Sequence, residues 1–233
     1  MTVHPDFKLN SGNSIPSIAI GTYQVDDDEI AAASVFTALK YGYRHIDTAR
    51  IYKNERGVGA GIRKAISELG IKREEIFLTT KLWLTDFHHA AEAFDASLER
   101  LFPGDKDAYI DLYLIHWPFA LLDNGDRDTS ITYHETYAQL EEIPRSKLKD
   151  IGVSNFSIEQ IKDLLSTAKR TPAVNQIELN VNVPQHKLVE FLLSGEYGNP
   201  AHDGKVILPE GYSPLDRGNL SDPTVARIAE AHK

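Results

Sequence analysis

Short, continuous apolar runs alternate along the chain with longer stretches in which apolar residues recur at i, i+3, i+4 and i+7. Phe7 to Pro16 alternates about a Ser11-Gly12-Asn13 turn signal and predicts a hairpin. Strands are expected at 18–22, 44–47, 76–80, 109–115, 149–153, 173–178 and 205–208. The first helix is expected from Asp26, because acids in a first turn suit the positive end of the helix dipole, with Ala32, Val35, Phe36 and Leu39 as its face and Gly42 as its stop. Further helices are expected over 54–69, closed by Gly70, and over 86–102, with Ala91, Phe94, Leu98 and Leu101 inward. Residues 117–131 read as a long loop, followed by a short helix through Tyr133, Tyr137 and Leu140. Ser157 caps a helix that turns Ile158, Ile161, Leu164 and Leu165 to one side. The last two helices are expected at 185–193 and after Asp222-Pro223, the latter with Val225, Ile228 and Ala229 as its face.

Strands alternating with helices mean βα units and a parallel sheet. The strands are continuous apolar runs, as strands covered on both faces should be. An open doubly wound sheet would announce a dinucleotide site with G-x-G-x-x-G after its first strand, and none is there. The nearest glycine run, Gly57-x-Gly59-x-Gly61, lies within a helix pattern. The fold class is therefore α/β, a TIM (β/α)8-type barrel with an N-terminal hairpin. A full barrel takes eight units and about 250 residues. This chain of 233 residues is expected to form one domain over 1–233 and to lack the eighth βα unit.

Composition narrows the function. A net charge of −9 argues against nucleic acid, which asks for a basic face. The absence of cysteine removes disulfides and thiolate metal sites and suits a reducing compartment. No apolar run approaches the roughly 20 residues that span a bilayer, and no signal peptide is visible, so a cytoplasmic protein without a membrane partner is expected. No H-E-x-x-H or P-loop pattern occurs, and no metal is expected.

Candidate chemistry gathers at the ends of the apolar runs. The run 44–47 ends on Asp47, and Tyr52 follows in the loop. The run 76–80 leads into Lys81, and 109–115 leads into His116. If these strands are parallel neighbours, the four side chains converge at one end of the sheet. Singly, each has a plainer reading: a cap, a packed tyrosine, a solvated lysine, a loop histidine.

Together, seven segments resemble the aldo-keto reductase family: Gly21-Thr22, 45-HIDTARIYKNE-55, 79-TTKLW-83, 110-IDLYLIHWP-118, 151-IGVSNF-156, 174-VNQIE-178 and 212-YSPLDRG-218, in the family's order and spacing. The resemblance covers essentially all of 7–233. It implies reduction of aldehydes and ketones by hydride transfer from NADPH, with NADH as the second candidate. The family's catalytic tetrad falls on Asp47, Tyr52, Lys81 and His116. A carbonyl accepting hydride needs a proton donor, and Tyr52 can be that donor. A phenol with a pKa of about 10 is a weak acid at neutral pH. Lys81 is expected to lower that value, with Asp47 holding Lys81 charged and His116 polarising the carbonyl.

The same resemblance assigns the cofactor to Gly21, Thr22, Asp47, Ser154, Asn155, Gln176, Tyr212, Ser213 and Leu215. Ser154, Asn155 and Gln176 would read the nicotinamide carboxamide, Tyr212 would stack on its ring, and Ser213 and Leu215 would lie near the pyrophosphate. Tyr23, Trp83, His116, Trp117 and Phe119 would line a pocket for a small carbonyl compound, its rigid aromatic walls suiting apolar or aromatic substrates. Position 23 is more often Trp in the family, which implies a slightly more polar pocket here. Family members continue with an eighth strand, a segment gripping the adenosine 2′-phosphate and a substrate-shaping loop, for which this sequence shows no counterpart. The resemblance implies a monomer. The missing closing strand implies open edges that admit strand exchange or a dimer. It also implies a second reading of the chain: a catalytically impaired barrel fragment that binds cofactor weakly or serves in interaction.

Overall fold

The computed structural model describes residues 5–218 and 222–232. The strands are β1 (Asp6–Lys8), β2 (Ser14–Pro16), β3 (Ala19–Gly21), β4 (His45–Asp47), β5 (Phe77–Leu82), β6 (Ile110–Ile115), β7 (Ala120–Leu121), β8 (Arg127–Asp128), β9 (Leu148–Ser154), β10 (Val174–Glu178) and β11 (Leu208–Tyr212). The helices are α1 (Asp28–Lys40), α2 (Glu55–Leu69), α3 (Ala90–Leu101), α4 (Tyr133–Glu141), α5 (Ile158–Leu165), α6 (His186–Ser194) and α7 (Pro223–Ala231). One parallel sheet runs β11-β10-β9-β6-β5-β4-β3, and β1 pairs with β2 as the expected hairpin. Among the described residues β3 and β11 each have one neighbour, so the barrel wall stays open between them.

Two cores result. The larger lies between the sheet's outer face and the helices, around residues such as Ile62, Phe94, Tyr113 and Leu164. The smaller fills the barrel interior, where Leu112, Leu114, Val174 and Leu208 meet Leu9 and Ile15 of the hairpin. The hairpin thus closes the N-terminal end of the barrel. Asn10 ties it to the carbonyls of Pro172 and Val206 at 2.8 and 3.0 Å. The glycines of α2 serve helix packing rather than a nucleotide: a Cβ at Gly57 would collide with the Asp28 carbonyl, and one at Gly59 with that of Leu101. The main chain of α2 therefore lies directly against α1 and α3.

Several boundaries differ from expectation. The α1 face is Ala31, Val35, Ala38 and Leu39, with Ala32 and Phe36 only partly covered. The stretch 86–102 begins as a 3₁₀ turn over Leu84–His89, and α3 proper starts at Ala90. The loop 117–131 holds the small hairpin β7–β8. The last strand lies later than the expected 205–208, because Pro209 and Gly211 break the apolar run without breaking the strand. Proline lacks an N–H and is tolerated where only one ladder forms, as on this edge. The α7 face is also a correction: no residue of α7 is buried, Val225 is half-buried, and Ile228 is 54% exposed.

Candidate active site

The site forms at the C-terminal ends of the parallel strands, where backbone bonds carry the ladder past each strand. Thr22 donates to the Asp47 carbonyl at 3.0 Å, and Thr48 to that of Thr79 at 2.9 Å. Parallel pairing sets Asp47 opposite Thr79 on β5, and Lys81 follows two residues on along the same face. The fully buried Lys81 Nζ donates to Asp47 Oδ1 at 2.6 Å and to the Thr48 carbonyl at 2.9 Å. It also lies 5.2 Å from the centre of the Tyr52 ring. The His116 ring centre is 6.0 Å from that of Tyr52 and 5.3 Å from that of Trp83, edge to face in both pairs. Asp47, Tyr52, Lys81 and His116 therefore come together.

Charge in this mouth is finely divided. Burial alone would lower the Lys81 pKa, but Asp47, Tyr52 and Glu210 together outweigh it, and Lys81 holds its proton more tightly than a free lysine. Tyr52 differs from the sequence-based expectation. Burial raises its pKa, and the positive charge of Lys81 opposes this without overcoming it. The net direction is up, so the resting phenol keeps its proton. Burial first, and Lys81 second, lower the His116 pKa to about 3, which leaves a neutral imidazole at physiological pH. Its Nδ1 is shut off from solvent and meets no hydrogen-bond partner.

The residues expected to hold a cofactor line β9, β10 and β11. Ser154 and Gln176 are buried, and Gln176 stands opposite both Ser154 and Glu210. Ser154 Oγ donates to the Gln176 carbonyl at 2.8 Å. Asn155 sits in the left-handed region at φ 64, uncommon for a residue with a side chain. Its bonds over-determine that conformation: its N–H donates to the Gln176 carbonyl at 2.9 Å, and its Nδ2 to the His116 carbonyl at 3.0 Å. The Tyr212 hydroxyl donates to Asn155 Oδ1 at 2.9 Å. Gly21 is exposed and Thr22 buried at the end of β3. Ser213 follows β11 at φ 50, and Leu215 is 64% exposed.

The aromatic wall is partly assembled. The Tyr23 ring centre is 5.1 Å from that of Tyr52, and Trp117 lies 6.2 Å from Phe119. A cavity of about 690 Å³ opens beside Asn155, lined by Trp117, Phe156, Ile158, Ile177 and Leu188 among others. A separate cavity of about 500 Å³ lies at the hairpin end, away from the tetrad, with charges of both signs around it.

Sequence reasoning gave no role to two residues that position the tetrad. Asn54 is wholly buried. Its Nδ2 donates to the carbonyls of Thr22 and Val25 at 2.8 and 2.9 Å, and its Oδ1 accepts from Thr48 Oγ1 at 2.9 Å. It staples the loop after β3 to the loop that carries Tyr52. Buried Glu55 accepts from Thr80 Oγ1 and from Arg100 Nε, both at 2.7 Å, which anchors the start of α2 beneath the site. Both residues stood inside the quoted 45–55 segment, the one signal that pointed to them. Among the described residues, no group of three or more His, Asp or Glu is placed to hold a metal ion, and no helix is long and apolar enough to cross a membrane.

A sequence model of the Aldo/keto reductase family matches residues 17–227. Glycerol 2-dehydrogenase (NADP(+)) of Saccharomyces cerevisiae is 42% identical to this chain over 257 residues, covering 98% of this chain and 76% of the yeast protein. Glyoxal reductase of Bacillus subtilis is 39% identical, covering 97% and 73% respectively. Among solved structures, an aldo-keto reductase of Bombyx mori in complex with NADP superposes with a TM-score of 0.86 at 35% identity, covering 100% of this chain and 77% of the silkworm protein.

Proposed function

The chain belongs to the Aldo/keto reductase family, and from that membership we propose how its own residues carry out the family reaction, with Tyr52 as the proton donor. The reaction is the NADPH-dependent reduction of an aldehyde or ketone to an alcohol. The comparisons favour this enzyme over the inactive-fragment reading. The single observation that carries the residue assignment is the buried Lys81 ammonium, fixed by Asp47 Oδ1 at 2.6 Å beside the Tyr52 ring.

The strand ends fit the cofactor. An amide is read by groups that donate and accept, and Ser154, Asn155 and Gln176 supply both beside the half-buried ring of Tyr212. When bound, NADPH supplies the hydride. The chain's own residues do the rest. His116, kept neutral, can point an N–H at the carbonyl oxygen and polarise it without carrying a charge of its own. Tyr52 keeps its proton until negative charge grows on that oxygen, then gives it up. The phenolate so formed is stabilised by the neighbouring Lys81, which Asp47 holds in place. Tyr23, Trp83, Trp117 and Phe119 wall the substrate and limit water near the reacting carbon.

The short hydroxyaldehyde class is the first to test, because relatives named for glycerol and glyceraldehyde are similar over most of this chain and Tyr23 brings a hydroxyl to the wall. The purified chain is incubated with NADPH and either glyceraldehyde or benzaldehyde, following absorbance at 340 nm and the quenching of tryptophan fluorescence. Loss of absorbance with quenching is the expected result. Quenching without turnover of either aldehyde would overturn the proposed roles of the tetrad.

A further inference from the structure

Glu210 lies at the base of the same mouth, and the reaction as derived above makes no use of it. Parallel register places it opposite Gln176, with its side chain on the same face of β11 as that of Tyr212, two residues on. Gln176 Nε2 donates to Glu210 Oε1 at 2.7 Å and to Asp47 Oδ2 at 2.9 Å. One amide nitrogen thus serves two carboxyl groups, and both its hydrogens are used. The charged or titratable groups facing Glu210 are His45 and Asp47 on β4 and Lys81 on β5. Its second oxygen, Oε2, is shut off from solvent without a hydrogen-bond partner. Burial, and then Asp47, push Glu210 above the usual carboxylate range, though His45, Gln176 and Lys81 pull the other way.

The amide of Gln176 could in principle sit either way round. Turned over, it would set its own oxygen against oxygens of both Asp47 and Glu210 and lose two donors. With Asp47 alone, one hydrogen bond would hold the amide nitrogen and leave it free to swing. We infer that Glu210 is a positioning residue for cofactor recognition: by sharing the Gln176 amide nitrogen with Asp47, it fixes the Gln176 carbonyl oxygen toward the nicotinamide carboxamide, whose N–H₂ it accepts. This rests on the reading that Gln176 faces that carboxamide.

The test is a binding cycle read by fluorescence quenching of the full chain, without turnover. Its two probes are NADPH and the reduced analogue whose carboxamide is replaced by an acetyl group, which keeps the carbonyl and lacks the N–H₂. The wild-type chain is expected to prefer NADPH by about tenfold, the size of one well-made hydrogen bond. Glu210→Ala is expected to bind both within about twofold of each other, because the preference needs an oriented acceptor. Glu210→Met fills about the same volume with only a weak sulfur acceptor and is expected to behave alike, which keeps the test available should the alanine variant fold poorly. Glu210→Gln restores an acceptor for Gln176 and should restore the preference. A structural role would weaken both probes equally and leave the ratio at its wild-type value, and that result overturns the proposal. No binding of NADPH by the wild-type chain would instead sink the cofactor reading on which the proposal rests.

Discussion

On the β4–β6 flank, Lys81 has no exposed side-chain surface and two acceptors within 2.9 Å. On the β11 flank, Leu215 is 64% exposed and no residue of α7 is buried. The two flanks contribute to one mouth, yet only the first is preorganised by packing. There, strands buried along nearly their whole length are held between a hairpin-plugged interior and the helices, so the tetrad inherits its geometry from the core. Toward β11 the residues proposed to hold the cofactor rest increasingly on hydrogen bonds among themselves, such as Tyr212 to Asn155. The difference teaches that the chemistry and the cofactor grip can be damaged separately.

The largest break is expected from Lys81→Met. It leaves Asp47 without its buried partner, and removing one member of such a pair costs about 3–5 kcal/mol. Urea unfolding should show that loss, and reduction at 340 nm should vanish with it. A variant as stable as the parent would mean the pair does not anchor this flank.

Acid should sharpen the same contrast. The His116 pKa is about 3 in the folded chain against 6.5 ordinarily. As pH falls, the unfolded chain therefore binds this proton first, and stability is lost between about 6.5 and 3. Between pH 6.5 and 5 this contributes up to about 2 kcal/mol of destabilisation, which His116→Gln should abolish in paired urea titrations. Identical acid slopes for the two chains would contradict a neutral, buried His116.

On the looser flank the effects are smaller and confined to binding. Tyr212→Ala removes an aromatic surface and is expected to weaken NADPH about tenfold by fluorescence titration, with melting changed little. Unchanged affinity would remove Tyr212 from the cofactor site. Leu215→Ala should be the mildest change, within about 0.5 kcal/mol in stability, as exposed positions usually are. A large loss of stability there would show that this end is packed after all.

Most of the scaffold was legible because buried parallel strands and amphipathic helices write their periods into the sequence. The convergence of Asp47, Lys81 and His116 was legible because all three sit where apolar runs end, with Tyr52 in the loop that follows the first. What stayed hidden depends on packing. Asn54 earns its place through three hydrogen-bond partners that no spacing reveals. Glu210 was missed because Pro209 and Gly211 disguised an edge strand, so the register that brings it against Gln176 could not be read. The Tyr52 pKa ran opposite to expectation because burial, invisible in one dimension, outweighs the neighbouring ammonium. The α7 stripe of Val225, Ile228 and Ala229 is apolar in the sequence but not buried in the structure, because burial is a property of neighbours.

The central claim is that the Tyr52 hydroxyl, beside Lys81 and His116, delivers the proton of carbonyl reduction. Tyr52→Phe removes that oxygen and keeps the ring, so one comparison decides it: aldehyde reduction at 340 nm alongside NADPH binding, for parent and variant. The account predicts a rate at least about a hundredfold lower, the usual contribution of a positioned proton donor, with binding within about twofold of the parent. Reduction at the parental rate by the variant would contradict it.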